Sequence, residues 1–137
     1  MRIRPYSVDD ESAVISLWER CGLIRPWNDP KKDIARKIAL DPDLFLIAIE
    51  DELLIGTIMI GYEGHRGWIN YLAIDPDHGR KGYARQLMVA AENLLAERGC
   101  PKINLQVRTD NRDAVDFYKA LGYQIDDVIN LGKRLNG

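Results

Sequence analysis

The sequence predicts an α/β domain whose mixed, mostly antiparallel sheet has about six to seven strands flanked by four helices. Three observations lead there. Two segments with helical spacing come first and are followed by three consecutive apolar, strand-like runs, the order of an antiparallel meander. A strand–helix–strand order occupies the middle of the chain, which requires a right-handed crossover and a parallel pair. A last helical segment then leads into two further strand-like runs.

The elements follow in order. "RIRPY" is a short first strand. In "VDDESAVISLWERCG", acidic residues precede Val14, Leu17, Trp18 and Cys21 at i, i+3, i+4 and i+7, and Gly22 follows, so an amphipathic helix is expected. "PKKDIARKIALDP" is a second helix, with Ile34, Lys37 and Ile38 on a half-buried face and Pro42 ending it. "LFLIAIE" and "LLIGTIMIGYE" are separated by Asp51 and Glu52, the length of a tight hairpin, and "RGWINYLAI" is a third strand. Ala84, Leu87, Met88, Ala91 and Leu95 mark one face of a helix ending near Gly99. "KINLQV" alternates as a strand does. "RDAVDFYKALGY" aligns Ala114, Phe117, Tyr118 and Leu121, and "YQIDDVINLGKRL" is expected to form the last two strands.

Composition narrows the function. With 137 residues and no linker, repeat or low-complexity tract, residues 1–137 are expected to form one domain. A formal net charge of −2 argues against nucleic acid or an anionic membrane as the main partner. There is no apolar run long enough to span a bilayer, and "MRIRPYSVDD" lacks the apolar core of a signal peptide, so a cytoplasmic location is expected. Cys21 and Cys100 lack metal-ligand spacing, and His65 and His78 are too few to complete a zinc set, so no metal is expected. Neither cysteine has the neighbours of a nucleophile.

One local stretch stands out. "DPDHGRKGYARQL" joins a strand to a helix through Gly79 and Gly82, with Arg80, Lys81 and Arg85 around them. Such a turn points backbone N–H groups and the positive end of a helix dipole at one spot, which suits a pyrophosphate. The Gly-Lys-Ser/Thr ending of a P-loop and the G-x-G-x-x-G of a dinucleotide fold are both absent. By itself the loop is equally compatible with a solvated basic approach to a helix.

Further on, "VRTDNRDAVDFYKALGY" combines an Asn at a helix start with Phe-Tyr ahead of Leu-Gly-Tyr. Taken with "INYLAIDPDHGRKGYARQLM", this resembles the GNAT superfamily of acyl-CoA-dependent N-acyltransferases over nearly the whole chain. "LWERCGLIRPWNDP", "GYEGHRG" and "LGKRL" resemble more narrowly the small bacterial acetyltransferases labelled YpeA. The pattern departs from the family at one point: Gly79 stands where Gln or Arg is usual, and Arg80 where Gly is common.

The resemblance implies acetyl-CoA as co-substrate, a small-molecule or peptide amine as acceptor, and direct attack in a ternary complex. The acceptor amine must first lose a proton, from a pKa of about 10.4 for a lysine-like ammonium or about 8 for an α-amino group. The strand Asn70–Ile74 would meet the pantetheine arm with its backbone: the N–H of Leu72 would hold the thioester carbonyl, and Ala73 and Ile74 would line the arm. Arg80, Lys81, Gly82, Tyr83, Ala84 and Arg85 would cradle the pyrophosphate, and Asn111 would bind the pantetheine region. Tyr118 would protonate the leaving thiolate; it also belongs to the apolar stripe of its helix.

The base is open. Gln106 stands where some relatives carry a Glu, and Gln cannot accept the proton. Glu63 and His65 are candidates, with a polar hairpin tip as the alternative. Trp27, Asn28 and Asp29 would line the acceptor pocket, or else Asn28 or Asp29 would cap the helix that starts at Pro30. A non-catalytic acyl-CoA sensor is the competing function. Strand edges at the C-terminus are open to pairing in a homodimer.

Overall fold

The computed structural model of the chain describes residues 1–135. The chain divides into two compact units, Met1–Gln106 and Val107–Gly137. In the first, β1 (Arg2–Pro5) is followed by α1 (Glu11–Arg20) and α2 (Pro30–Leu40). Then come β2 (Phe45–Glu50), β3 (Leu53–Tyr62), β4 (Gly67–Ile74), α3 (Tyr83–Glu97) and β5 (Ile103–Leu105). The strands form one sheet in the order β1-β2-β3-β4-β5. The first four are antiparallel neighbours, and β5 returns parallel to β4 after the α3 crossover.

The helical stripes are buried as their spacing requires. Val14, Leu17 and Trp18 of α1 are each 0% exposed, and Ile34 and Lys37 of α2 are buried. Val14, Leu17, Trp18 and Ile34 join Tyr6, Phe45, Ile47, Met59 and Ala73 in one core cluster. The buried Lys37 ammonium donates a hydrogen bond to the Ile60 carbonyl, and burial lowers its pKa. On α3 the buried residues are Leu87, Met88, Ala91 and Leu95.

Adjacent residues of a strand face opposite sides of a sheet. A side chain at Gly56 would run into Leu87 of α3, whereas Thr57 bonds Trp18 of α1, so α1 and α3 cover opposite faces of the sheet.

The β2–β3 hairpin turns on Asp51 and Glu52 alone, both in the left-handed region, at φ 50° and 65°. This is the two-residue turn with positive φ at both centres that follows the sheet's twist. A Glu there is held against its steric preference. Glu52→Gly is therefore expected to stabilise the protein by about 0.5–1 kcal/mol. A higher denaturant midpoint at unchanged slope would show it.

In the second unit, α4 spans Arg112–Ala120, giving the four helices expected. The sheet count is corrected. The structure has five strands among the described residues, not six to seven. Residues 123–135, expected to supply two strands, are irregular, and Ile125, Val128, Ile129, Leu131 and Leu135 are 75–92% exposed. The physical reason lies in the pattern. The apolar residues 125, 128, 129, 131 and 135 are interrupted by Asp126, Asp127, Asn130, Gly132, Lys133 and Arg134, which leaves each short run few side chains to bury.

Candidate active site

Strand β4 carries the central feature. It pairs with β5 only at Gly67, Trp68 and Ile69, so from Asn70 to Ile74 no described strand continues the β5 ladder along that edge. On its other side the register with β3 slips: Thr57 faces Ala73 and Met59 faces Asn70, so Ile58 alone opposes Tyr71 and Leu72. This two-against-one arrangement is a β-bulge. Tyr71 takes up the distortion with φ at 51°, rare for an aromatic residue.

Side chains surround the bulge. The hydroxyl of Thr57, 0% exposed, donates to the Tyr71 carbonyl at 2.8 Å and accepts from the Trp18 indole N–H at 2.9 Å. The Tyr71 ring stacks on Trp18 with centroids 3.8 Å apart. Its phenol donates to Asp33 at 2.6 Å, and Arg36 donates to the same carboxylate at 2.7 Å. Burial, then the Asp33 bond, pushes the Tyr71 phenol well above its usual range. Leu72 and Ile74 are half-buried, and Ala73 is buried.

The chain leaves β4 through Asp75, which ties the loop down. Its N–H donates to the Ile55 carbonyl at 2.7 Å. Its carboxylate accepts from the Asp77 N–H at 2.9 Å and from Arg20 at 2.6 Å. Those two partners, Asp77 first, hold its pKa below the ordinary range. Gly79 is extended, but Arg80 and Gly82 both enter the left-handed region, at φ 62° and 78°.

Gly82 is the N-cap of the fifteen-residue α3 and supplies no side-chain cap. The N–H groups of the first turn therefore lack intrahelical partners and face a single region with the helix's positive end. Arg80, Lys81 and Arg85 are exposed around it. A Cβ at Gly82 would meet nothing within 4 Å. Open, basic and uncapped, the loop fits a diphosphate. Ala84 is half-buried, and the Tyr83 phenol is engaged with Glu50 at the end of β2.

Other sequence-marked residues are placed as follows. Glu63 and His65 occupy the tip of the β3–β4 hairpin, where the Glu63 carboxylate accepts the N–H groups of His65, at 2.7 Å, and Arg66. Those bonds, Arg66 first, lower its pKa. Gly67 follows that tip, and Leu72 lies five residues further along β4, about 15 Å at a strand's rise. Asp29 caps α2 by accepting from the Lys32 N–H at 3.2 Å, and Asn28 closes a turn onto the Arg25 carbonyl. Trp27 is 46% exposed.

In the second unit, Asn111 caps α4 by accepting from the Ala114 N–H at 3.2 Å. Tyr118 lies against Phe117 and Tyr123, with ring centroids 5.0 and 5.8 Å away. The turn after α4, with Gly122 at φ 95°, lets the Tyr123 N–H close back on the Tyr118 carbonyl. Burial pushes the Tyr118 phenol up to about 12. Among the described residues, no three His, Cys, Asp or Glu side chains gather as a metal site would need. None of the described helices is long and apolar enough to cross a membrane.

A crossover sheet in which one edge of β4 has no strand partner among the described residues beyond Ile69, running into a helix that starts at a glycine, is the frame of an α/β acyltransferase fold. The chain belongs to the acetyltransferase (GNAT) family, whose sequence profile matches residues 11–123. A protein of Pectobacterium atrosepticum named as an acetyltransferase is 51% identical over 135 residues, covering 98% of this chain and 96% of its own. Among solved structures, the PaiA N-acetyltransferase of Thermoplasma acidophilum, in complex with coenzyme A, matches with a TM-score of 0.78. It is 22% identical, over 93% of this chain and 92% of that one. The aminoglycoside acetyltransferase AAC(6')-Iy, bound to a bisubstrate analogue, has a TM-score of 0.77 and is 20% identical over 97% of each chain.

Proposed function

We propose that this chain is an N-acetyltransferase that moves the acetyl group of acetyl-CoA to a primary amine, on a small molecule or a peptide, by direct attack in a ternary complex. The observation that carries the proposal is the edge of β4 that has no strand partner among the described residues from Asn70 onward, leading directly into the uncapped start of α3. An extended pantetheine arm can add to that edge as a strand adds to a sheet. The diphosphate then falls to the N–H groups from Gly82 to Arg85, assisted by Arg80 and Lys81.

Acetyl-CoA supplies an activated acetyl group on a thioester. The N–H of Leu72 holds the thioester oxygen as negative charge builds there, and Ala73 and Ile74 line the arm. Asn111 keeps the two N–H groups of its amide for a pantetheine carbonyl while its oxygen caps α4. Tyr118 donates its phenolic proton toward the departing sulfur. Trp27, Asn28 and Asp29 form one wall of the acceptor site. Because Glu63 is engaged at the hairpin tip and that tip, with His65, lies about 15 Å along β4 from Leu72, the amine proton passes first to water.

Calorimetric titration with acetyl-CoA, alongside dephospho-CoA, tests this reading. Micromolar binding, followed by acceptor-dependent thiol release across a panel of amines, is the expected result. An absence of binding at millimolar acetyl-CoA would sink it.

A further inference from the structure

We propose that Thr57, with its hydroxyl oriented by Trp18, is the positioning residue that aims the Leu72 N–H, and that the Tyr71–Asp33 hydrogen bond holds the same peptide group from its other side. This rests on the role given to Leu72 above. The inference starts from the peptide bond itself. In a trans peptide the C=O of one residue and the N–H of the next point in opposite directions in one plane. The Tyr71 carbonyl and the Leu72 N–H share such a plane, and Thr57 donates to that carbonyl at 2.8 Å. Fixing the carbonyl toward the Thr57 hydroxyl therefore sends the Leu72 N–H the opposite way.

A free hydroxyl would rotate, but this one does not have that freedom. The Trp18 indole can only donate, and it does so to Thr57 Oγ1 at 2.9 Å, so the hydroxyl proton is left for the Tyr71 carbonyl. All of this takes place at a side chain with no exposure, where water cannot substitute.

The second hold acts on Tyr71. A non-glycine residue at φ 51° persists only where its surroundings impose it. Here the ring is stacked on Trp18 and the phenol is bonded to Asp33 of α2. The peptide ahead of the reacting thioester is thus set by one residue from each of α1, α2 and β3, none of which needs to touch the ligand.

The test uses acetyl-CoA labelled with carbon-13 at the thioester carbonyl, bound to the full chain and observed by infrared spectroscopy. In the unaltered protein the carbonyl band is expected at lower frequency than in solution. Thr57→Val, which keeps the shape and removes the hydroxyl, is expected to return the band to its solution position. It should weaken acetyl-CoA about three- to tenfold relative to CoA, the scale of one hydrogen bond, and leave CoA affinity unchanged. Thr57→Ser is expected to restore both. Should Thr57→Val fail to fold, Tyr71→Phe, which keeps the stacked ring, replaces it and is expected to lose most of the band shift.

A full band shift in the folded variant used overturns the proposal, as does an equal loss of CoA and acetyl-CoA affinity, which would make Thr57 a packing residue only. Absence of a shift in the unaltered protein with acetyl-CoA bound brings down the Leu72 assignment, and this inference with it.

Discussion

Replacing Tyr118 by Phe is expected to lower kcat for acetyl transfer by about a hundredfold, the lower end of what general-acid catalysis supplies. The KM for acetyl-CoA should stay within about twofold, because the lost interaction is one made in the transition state. The size follows from the phenol's surroundings. Burial pushes its pKa up to about 12, so the proton is present at every working pH. A thiol, however, ionises near about 8.5, so handing that proton to a thiolate in this environment runs uphill. Under the proposed mechanism Tyr118 would therefore act first as a hydrogen-bond donor to charge growing on sulfur, and a full proton transfer would add little.

The pH dependence follows with its sign. A raised phenol pKa keeps the acid form, so no fall in kcat from Tyr118 should appear until the pH nears about 12. A descending limb near pH 10, absent from the Phe variant, would show a solvated phenol instead. A Phe variant that turns over as fast as the unaltered protein would favour the acyl-CoA sensor over the enzyme.

The elements that were legible are those whose signal is local. Val14, Leu17 and Trp18 repeat at helical spacing and are buried together; Leu87, Met88, Ala91 and Leu95 do the same. Asp51 and Glu52 form the expected two-residue turn because the strands on either side leave no other length. The loop before α3 was legible from Gly82 and its basic neighbours, since a strand–glycine–helix junction says where N–H groups will point.

The bulge was not legible. Nothing in "GWINYLAI" marks Tyr71 as left-handed, because its conformation is imposed from afar: by Thr57 fourteen residues away, Asp33 thirty-eight away and the stacked Trp18. The one available signal was Thr57 itself, a lone hydroxyl within the otherwise apolar "LLIGTIMIG". The two expected C-terminal strands failed for the opposite reason. Ile125, Val128 and Ile129 have the local composition of strands, but none of the described strands pairs with them and their side chains stay exposed. Glu63 had the chemistry of a base, but the turn at Gly64, φ 104°, brings its carboxylate back onto the N–H groups of His65 and Arg66.

The second large effect is expected at the phosphate loop, where Gly82 and Arg80 adopt the same left-handed backbone at different cost. Gly82→Val would force a β-branched residue to φ 78° at the first turn of α3. The strain, of about 1–2 kcal/mol, can be relieved only by turning the N–H groups away from the ligand. CoA affinity should fall by about thirtyfold or more, and the melting temperature should fall with it.

Arg80→Gly separates the two quantities. Relief of strain should raise stability by about 0.5–1 kcal/mol, while loss of a charge-assisted contact should weaken CoA by about tenfold or more. A thermal melt and a CoA titration on each variant check both signs. The partner phosphate follows from repeating the titration with dephospho-CoA, which lacks the 3′-phosphate. If Arg80 serves the diphosphate, as its place beside the uncapped α3 implies, Arg80→Gly should weaken both ligands by the same factor. If the preference for CoA over dephospho-CoA disappears instead, Arg80 serves the 3′-phosphate. The diphosphate would then rest on backbone N–H groups alone, and the strained arginine would be retained for recognition of the nucleotide end.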